Sequence, residues 1–359
     1  MRAVVMQDRK VRLAELPEPV PCEGEVLVEV LACGICGSDL HCAQHGAEFN
    51  ASLRTAFGVD VLDLDRPIVF GHEFVGRVLE HGPGTSGRVP LGARVVSVPS
   101  LTRPGQPFLG FAGPETPGGF AERMVLAESL LLQVPEHVPT EHAALTEPLA
   151  VAEHAVNRAG LRPGDVPLVV GCGPIGLAII AVLRMRCDGP IVAADFSPER
   201  RLLARSLGAD VVVDPARDSP YEAWSKALGV SGSGVEGQAQ VPAAVAFECV
   251  GVPGMIQELV LGCPPGGRIV VAGLCMRPDT FEPAQALVKE IDLRFAYLYT
   301  AEEFAQALAY LTDGAGMVAP LVTRTIGLAD VPEAFDTLSD SPQDAKVLIV
   351  PGLPGDTAK

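Results

Sequence analysis

The run GCGPIG at residues 171–176 constrains the fold of this chain more than any other feature. It stands directly between the apolar run PLVV, typical of a buried strand, and the helix-like LAIIAVLRM. In a strand–turn–helix unit, Gly171 permits a tight turn, Gly173 lets the backbone approach a pyrophosphate, and Gly176 lets the helix pack against the strand. The amino end of that helix favours an anion through its unpaired amides. The run therefore predicts a dinucleotide-binding turn.

An acidic residue follows at the place such a turn requires. Asp195 ends the next apolar run, IVAAD, where a carboxylate accepts hydrogen bonds from the ribose hydroxyls of NAD and repels the 2′-phosphate of NADP. Arg200 and Arg201 follow closely, and their positive charge weakens the expected preference for NAD over NADP. The alternative is a glycine-rich turn without a ligand, which the strand, helix and acidic residue together disfavour. The residues expected to contact NAD are Gly171, Gly173, Pro174, Ile175, Gly176, Asp195, Arg200, Gly273 and Leu274.

The pattern of the chain changes near residue 150. Up to about Val134, short β-rich runs alternate with Gly and Pro clusters, which predicts a compact all-β unit. From Ala143, helix-like segments alternate with apolar strands such as VAFECVG and RIVVAG, which predicts a parallel sheet of the βαβ type. After Ile291, mixed segments end in the strand-like KVLIV. We expect an α/β protein with an all-β domain at 1–150 and 292–359, and a doubly wound parallel-sheet domain at 151–291.

Composition excludes several classes of function. The chain of 359 residues carries a net charge of −17, which repels nucleic acid and anionic lipid surfaces. The most apolar stretch, Val166 to Leu183, is interrupted by Pro and Gly and does not predict a membrane span. With nine cysteines and no expected export signal, we predict reduced thiols and a cytoplasmic location. The glycine-rich tract at 228–242 predicts a surface loop.

A second group of residues has the chemistry of a metal site. The segment CGICGSDLH contains Cys33 and Cys36, the segment GHE contains His72 and Glu73, and Glu147 follows in TEPLAVAEHAV. A thiolate, an imidazole and a carboxylate suit Zn²⁺, and three protein ligands leave a fourth position open for water or a substrate oxygen. The CxxC formed by the two cysteines is alternatively a redox pair or half of a structural zinc site. No second CxxC completes such a structural site.

Taken in order along nearly the whole chain, these motifs resemble the zinc-containing medium-chain dehydrogenases. The matching runs are CGICGSDLH, GHEFVGRV, PGGFAERMVL, EPLAVAEHAV, GCGPIGL, AFECVG and GGRIVVAG. The resemblance implies a GroES-like all-β catalytic domain with an inserted Rossmann domain, NAD as cofactor, and a homo-oligomer that is a dimer or a tetramer. It also implies that Cys36 and His72 bind a catalytic zinc, with Glu73 or Glu147 as the remaining protein ligand.

The same resemblance implies a proton relay beside the metal. Ser38 bonds the alcohol oxygen and relays its proton, His41 continues the relay toward solvent, and Asp39 orients His72. Taken singly, Ser38 is alternatively a turn hydroxyl and His41 a surface histidine.

The chain departs from the family pattern in three places. The stretch 97–120, where many relatives bind a second zinc through four cysteines, contains no cysteine, so we expect one zinc per subunit. Residues 42–70 form a longer segment than the family norm, which either caps the substrate pocket or is an ordinary surface insertion. Leu298 and Tyr299 stand where polyol dehydrogenases carry an Arg and Tyr pair, which favours a less polar alcohol.

The leading hypothesis is an NAD-dependent zinc dehydrogenase that converts a secondary or cyclic alcohol to a ketone. A polyol, sugar or threonine-like substrate is the second hypothesis. A zinc-free quinone or enoyl reductase is disfavoured by Cys36, His72, Glu147 and Asp195. A non-catalytic nucleotide-binding protein is disfavoured by the complete ligand set and relay, although fold alone never establishes activity.

Overall fold

The computed structural model describes residues 1–103, 105, 108–229, 243–338 and 343–353. Its strands, numbered along the chain, are β1 (Arg2–Gln7), β2 (Lys10–Glu15), β3 (Glu25–Gly34), β4 (Glu73–His81), β5 (Arg94–Ser97), β6 (Arg123–Ala127), β7 (Leu131–Gln133), β8 (Val166–Val170), β9 (Val192–Ala194), β10 (Val211–Val213), β11 (Ala244–Glu248), β12 (Arg268–Val271), β13 (Asp292–Phe295), β14 (Val322–Ile326) and β15 (Lys346–Ile349). Its α-helices are α1 (Gly37–Phe57), α2 (Thr140–Ala143), α3 (Thr146–Ala159), α4 (Pro174–Arg186), α5 (Pro198–Ser206), α6 (Pro220–Ala227), α7 (Met255–Gly262), α8 (Pro283–Val288), α9 (Ala301–Val318) and α10 (Val331–Thr337).

The chain divides into two compact units. The first comprises Met1–Glu147, Ala307–Gly316 and Val322–Lys359, and the second comprises Pro148–Gln306 and Met317–Leu321. The sequence pattern placed the return to the first domain at residue 292. The structure differs there because β13 pairs in parallel with β12 and so extends the sheet of the second unit. Of the glycine-rich tract at 228–242, residues 230–242 lie outside the described residues.

The first unit is built on a seven-stranded sheet with the order β14-β15-β3-β4-β5-β7, in which β6 also pairs with β3. Alternating apolar side chains of these strands enclose a core that includes Phe70, Phe120 and Phe335. The antiparallel register sets Gly34 of β3 opposite Glu73 of β4 and opposite Leu348 of β15. Three strand ends therefore meet at one point of the sheet.

Helix α1 is the one long element of the first unit that the sequence pattern did not indicate. Its buried positions are small or polar, so no apolar stripe with helical spacing marks it: Asp39, Cys42, Ala43, Gly46 and Asn50. The helix begins directly after Cys36, ends at a left-handed Gly58, and contains a kink at His45. Tertiary contacts, and not an amphipathic pattern, account for this helix.

The second unit contains a six-stranded parallel sheet with the order β10-β9-β8-β11-β12-β13. This is the strand order of a Rossmann fold, and it confirms the predicted doubly wound sheet. Strands β8, β11 and β12 are buried along their whole length, as their continuous apolar runs require. The buried ring of Trp224 anchors α6 to this sheet by donating from Nε1 to the Val166 carbonyl at 2.8 Å. Within the described ranges, no helix has the length and apolarity needed to cross a membrane.

Candidate functional site

The register of β3 and β4 brings three potential metal ligands together. Cys36 lies two residues beyond the end of β3, His72 immediately precedes β4, and Glu73 is the first residue of β4. One donor atom from each of the three lies within 4.8 Å of the other two. His72 and Glu73 are buried, and Cys36 is half-buried. The described residues contain no other such group of three or more His, Cys, Asp or Glu side chains.

The residues around His72 fix the direction of its ring. Its Nδ1 lies 3.3 Å from Oδ1 of Asp39, and its Nε2 lies 3.4 Å from Oγ of Ser38. Asp39 is fully buried, and its second oxygen accepts a hydrogen bond from the amide of Cys36 at 2.9 Å. Burial lowers the pKa of His72, but the negative charge of Asp39 and the contact with Cys36 raise that pKa well above its usual value.

The donor set fits a zinc ion. In a tetrahedral zinc site, bonds of 2.0–2.3 Å place the ligand atoms about 3.5 Å apart, so three donors within 4.8 Å need only a small adjustment. Although Nδ1 of His72 and Oδ1 of Asp39 are close, their angles do not make a hydrogen bond, and both buried atoms lack one. A metal on the other ring nitrogen would fix the tautomer in which Nδ1 donates to Asp39.

Glu147 and Glu73, the two alternatives for the third ligand, occupy different surroundings. Glu147 is the second residue of α3, is buried, and does not belong to the group of three donors. Both oxygens of Glu73 accept hydrogen bonds from Nζ of Lys346 at 2.7 Å. Burial lowers the pKa of Lys346, but the charges of Glu73, Cys36 and Glu147 raise it above its usual value. The sequence did not indicate a role for Lys346, because it stands there only as a single cation at the start of the apolar run KVLIV.

Cys33 does not join the metal group. Its buried thiol donates to the carbonyl of Gly34 at 3.6 Å, and burial, with the charges of Asp39 and Glu73, raises its pKa well above the usual value. A thiol of high pKa is a poor nucleophile. Cys33 and Cys36 are both free thiols. These properties disfavour the alternative in which the CxxC is a redox pair.

The two relay residues lie on the first turns of α1. Ser38 is half-buried beside His72, whereas His41 is exposed. Partial burial and the charge of His45 lower the pKa of His41. Within the described part of the chain, no hydrogen bond joins Ser38 to His41.

The segment at 42–70 continues α1 and then lines a cavity of about 560 Å³. Residues 60–68 line this cavity together with Phe108 and Phe111. The ring of Phe111, which lines this cavity, also stacks on the ring of His72, with 5.3 Å between centroids. The sequence analysis did not single out Phe111, because its partner is more than thirty residues away in the chain.

The GCGPIG turn has the backbone that its three glycines predict. Gly171 lies between β8 and α4 with a φ of +93°, and a Cβ there would lie 2.8 Å from Cγ2 of Val250. A Cβ on Gly176 would lie 1.9 Å from the carbonyl oxygen of Gly171, so this contact excludes any side chain. A Cβ on Gly173 would meet nothing within 4 Å, which leaves its backbone open to a ligand. Pro174 and Ile175 form the first turn of α4.

Asp195, which directly follows β9, forms a hydrogen bond with the same turn. Its Oδ2 accepts from the amide of Cys172 and its Oδ1 from the amide of Ser197, both at 2.8 Å. Each oxygen retains a lone pair for a further donor. Nε of Arg200 is buried without a hydrogen-bond partner, whereas Arg201 forms an ion pair with Asp214 at 3.2 Å.

The remaining predicted cofactor residues follow β12, at the same edge of the parallel sheet. A Cβ on Gly273 would lie 2.4 Å from the amide nitrogen of Gly251 and 2.5 Å from an oxygen of Glu248, so glycine is required there. Leu274 is partly exposed. Further along, Leu298 has a φ of +59°, and the ring of Tyr299 stacks on that of Phe304.

Sequence comparison places the chain among known enzymes. The family model "Alcohol dehydrogenase GroES-like domain" matches residues 22–136, and "Zinc-binding dehydrogenase" matches residues 174–313. The (R,R)-butanediol dehydrogenase of Bacillus subtilis (strain 168) is 32% identical over 367 residues, which cover 98% of this chain and 100% of the relative. The chain belongs to the zinc-dependent alcohol and sorbitol dehydrogenase family.

Other members of the alcohol and sorbitol dehydrogenase family agree with this assignment. The sorbitol dehydrogenase of Gallus gallus is 30% identical over 349 residues, covering 94% of this chain and 92% of the relative. The crystal structure of the Bacillus subtilis 2R,3R-butanediol dehydrogenase matches with a TM-score of 0.82 over 98% of this chain and 99% of that chain, at 30% identity. A zinc-binding dehydrogenase from Sinorhizobium meliloti 1021, solved bound to NADP, matches with a TM-score of 0.79 at 26% identity and coverages of 98% and 99%. The predicted family, fold class and enzyme class, an alcohol dehydrogenase, are confirmed.

Proposed function

We propose that this dehydrogenase oxidises a secondary or cyclic alcohol to a ketone, with NAD as hydride acceptor and one zinc ion per chain. The observation that carries this proposal is the convergence of Cys36, His72 and Glu73 within 4.8 Å, beside the hydroxyl of Ser38. A zinc ion held by these residues would act as a Lewis acid and make an alcohol hydroxyl easier to deprotonate. The position of Glu73 in the group supports it, rather than Glu147, as the third ligand.

Each neighbouring residue has a separate task in this proposal. Ser38 accepts the alcohol proton at Oγ, and Asp39 holds the imidazole of His72 in one orientation. Phe111 covers one face of that imidazole and keeps water away from it. His41 is exposed on α1 and would pass that proton to solvent through a group that bridges it to Ser38, because the two residues share no direct hydrogen bond in the described structure.

The turn at Gly171–Gly176 supports a dinucleotide, and Asp195 supports NAD as the preferred one. A carboxylate in that position can accept from the ribose hydroxyls, and its charge opposes a 2′-phosphate. The guanidinium of Arg200 opposes this preference for NAD most directly. Its Nε has no hydrogen-bond partner in the described protein and is therefore available to a 2′-phosphate.

Position 298 supports a substrate that is less polar than a sugar. Leu298 stands where the polyol dehydrogenases carry a cation. An apolar side chain at that position offers no partner to the hydroxyls of a sugar, and unpaired hydroxyls cost binding free energy. The relatives named butanediol dehydrogenase favour a secondary alcohol, and those named sorbitol dehydrogenase keep a polyol as the second candidate.

The decisive experiment measures NADH and NADPH formation from a panel that contains 2,3-butanediol, cyclohexanol, benzyl alcohol and sorbitol. We expect kcat/KM for the best secondary alcohol to exceed that for sorbitol by about tenfold or more. We also expect NAD to be preferred over NADP, and Asp195→Asn to narrow that preference. Sorbitol as the best substrate would establish the polyol alternative. Equal efficiency with both cofactors would show that Asp195 does not discriminate between them.

Two broader features belong to the same proposal. We expect a cytoplasmic homo-oligomer, a dimer or a tetramer, that binds neither nucleic acid nor membrane. Light scattering on the purified protein measures its oligomeric state directly.

A further inference from the structure

Phe111 contacts three other rings in the first unit. Its ring stacks on that of His72, with 5.3 Å between centroids and 23° between planes. It also stacks on the ring of Phe49, at 6.3 Å and 17°, and meets the ring of Phe70 edge to face, at 6.3 Å and 77°. At these separations, aromatic pairs attract each other beyond the effect of their burial. The ring beside His72 is therefore itself supported by two others.

The two supporting rings belong to different parts of the first unit. Phe70 is 1% exposed, lies in the core and directly precedes the GHE segment. Phe49 is half-buried and lies in α1, four residues beyond the kink at His45. The buried positions of α1 form no apolar stripe that would fix the helix in place, so other contacts must position Phe49.

Residues on either side of Phe49 attach α1 to the segment that follows it. The buried side chain of Asn50 donates to the carbonyl of Leu62 at 2.7 Å, and its oxygen accepts from two backbone amides of the same segment at 3.1 and 3.0 Å. At Gly46, a Cβ would lie 2.9 Å from Cδ2 of Leu64, so the helix approaches this segment closely. These contacts fix the second half of α1, and Phe49 with it.

The contact between Phe111 and His72 gains strength when a metal binds the imidazole. A metal ion on a ring nitrogen would withdraw electron density from the imidazole, and the face of a phenyl ring carries the negative end of a quadrupole. Phe111 would thus stabilise the metal-bound imidazole more than the metal-free one. The stacked ring also limits rotation of His72, which Asp39 restrains at Nδ1.

We propose that Phe49 is a positioning residue that holds Phe111 against His72 and thereby strengthens zinc binding. This inference rests on the proposed metal centre. Phe49 is not one of the three metal donors and acts on the centre only through Phe111. The segment at 42–70 therefore supports the metal site through α1, and it is more than an ordinary surface insertion.

The test measures the rate of zinc release from the loaded protein to an excess of a chromogenic chelator. Phe111→Leu removes the ring beside His72, so zinc should leave about three- to tenfold faster than from the wild type, the scale of one aromatic pair. Phe49→Leu should speed release about two- to threefold, because Phe70 still supports Phe111. Phe49→Tyr keeps a ring and should restore the wild-type rate. Unchanged release from Phe49→Leu would overturn the proposal.

A second measurement reports the geometry of the metal site. When cobalt replaces zinc, its visible absorption bands depend on the arrangement of the ligands. Phe49→Leu and Phe111→Leu should shift these bands in the same direction, whereas Phe49→Tyr should leave them unchanged. A wild-type spectrum in both Leu variants would mean that neither ring positions the imidazole, and would also overturn the proposal.

A double variant and two controls isolate the route of the effect. In a Phe111→Leu background, Phe49→Leu should cause no further change in release, and a further change would disprove action through Phe111. Phe57 lies on the same helix and is 66% exposed, so Phe57→Leu should release zinc at the wild-type rate. Phe304 stacks on Tyr299 in the second unit, and Phe304→Leu should lower stability without changing release. Faster release from either control, equal to that from Phe49→Leu, would contradict a specific role for Phe49.

Failure of the proposed metal centre would give a different result. If the wild type binds no zinc, or if Cys36→Ala retains zinc at the wild-type level, the centre itself is wrong and the role of Phe49 is refuted with it. If zinc depends on Cys36 but leaves Phe49→Leu at the wild-type rate, the centre stands and only the role of Phe49 is refuted.

Discussion

Ser38 and Cys36 are two residues apart, yet their chemistry predicts different consequences when each is removed. The Ser38 hydroxyl contacts His72 at 3.4 Å and is not one of the three donors that could hold a metal. Ser38→Ala should therefore keep zinc bound while kcat falls by roughly a hundredfold or more, the usual scale for an acid–base group. Zinc content and steady-state kinetics of the same preparation measure both quantities.

Cys36→Ala should instead lose zinc and activity together, because the ion would keep only two protein ligands. Ser206→Ala is the matched control for Ser38, since that hydroxyl only donates to the Leu203 carbonyl within α5. It should change neither quantity. Near-normal turnover in Ser38→Ala would show that the alcohol proton leaves by a route independent of this hydroxyl.

At the scale of secondary structure, the start of α9 allows a prediction about stability that does not depend on the metal site. Thr300 accepts a hydrogen bond from the amide of Glu303 at 3.2 Å, and Glu303 accepts one from the amide of Thr300 at 2.8 Å, which makes a capping box. Thr300→Ala should lower stability by about 1 kcal/mol. Thermal unfolding should show a midpoint lower by about 2 °C.

Thr55 provides the control for this cap. It is an exposed threonine inside α1 whose hydroxyl donates back to the Ala51 carbonyl, so Thr55→Ala removes a hydroxyl without removing a cap. Its midpoint should match that of the wild type. An equal decrease in both variants would mean that the capping box of α9 contributes nothing specific.

For the whole molecule, the number of metal ions is the clearest prediction. The described residues form a single group of potential metal ligands, and the stretch 97–120 contains no cysteine for a second zinc site. Elemental analysis of purified protein should find close to one zinc per chain. Two zincs per chain would contradict this prediction. Because the ion binds the folded protein, its removal by a chelator should also lower the thermal midpoint, and added zinc should restore it.

A feature of this protein can be predicted from the sequence when the residues that form it lie close together in the chain. Short runs of consecutive residues were enough to predict the turn at Gly171–Gly176, the strands of the parallel sheet and the position of Asp195. Strands, turns and helices each have a local periodicity and local steric requirements, so a short run can indicate them. Cys36, His72 and Glu73 could likewise be proposed from short motifs whose donor chemistry suits zinc.

Other features of the site depend on contacts between residues that lie far apart in the chain. Local pattern could not show that Glu73, and not Glu147, lies beside Cys36 and His72, because that proximity depends on the pairing of β3 with β4. Nor could it pair Lys346 with Glu73, which lies 273 residues away in the chain. Helix α1 was not predicted for a related reason. Its buried side chains are small or polar, so the sequence shows no apolar stripe, and their burial depends on packing within the first unit. Short segments of the sequence thus specify which chemical groups this protein carries, and the register of three strand ends specifies which of those groups lie close together.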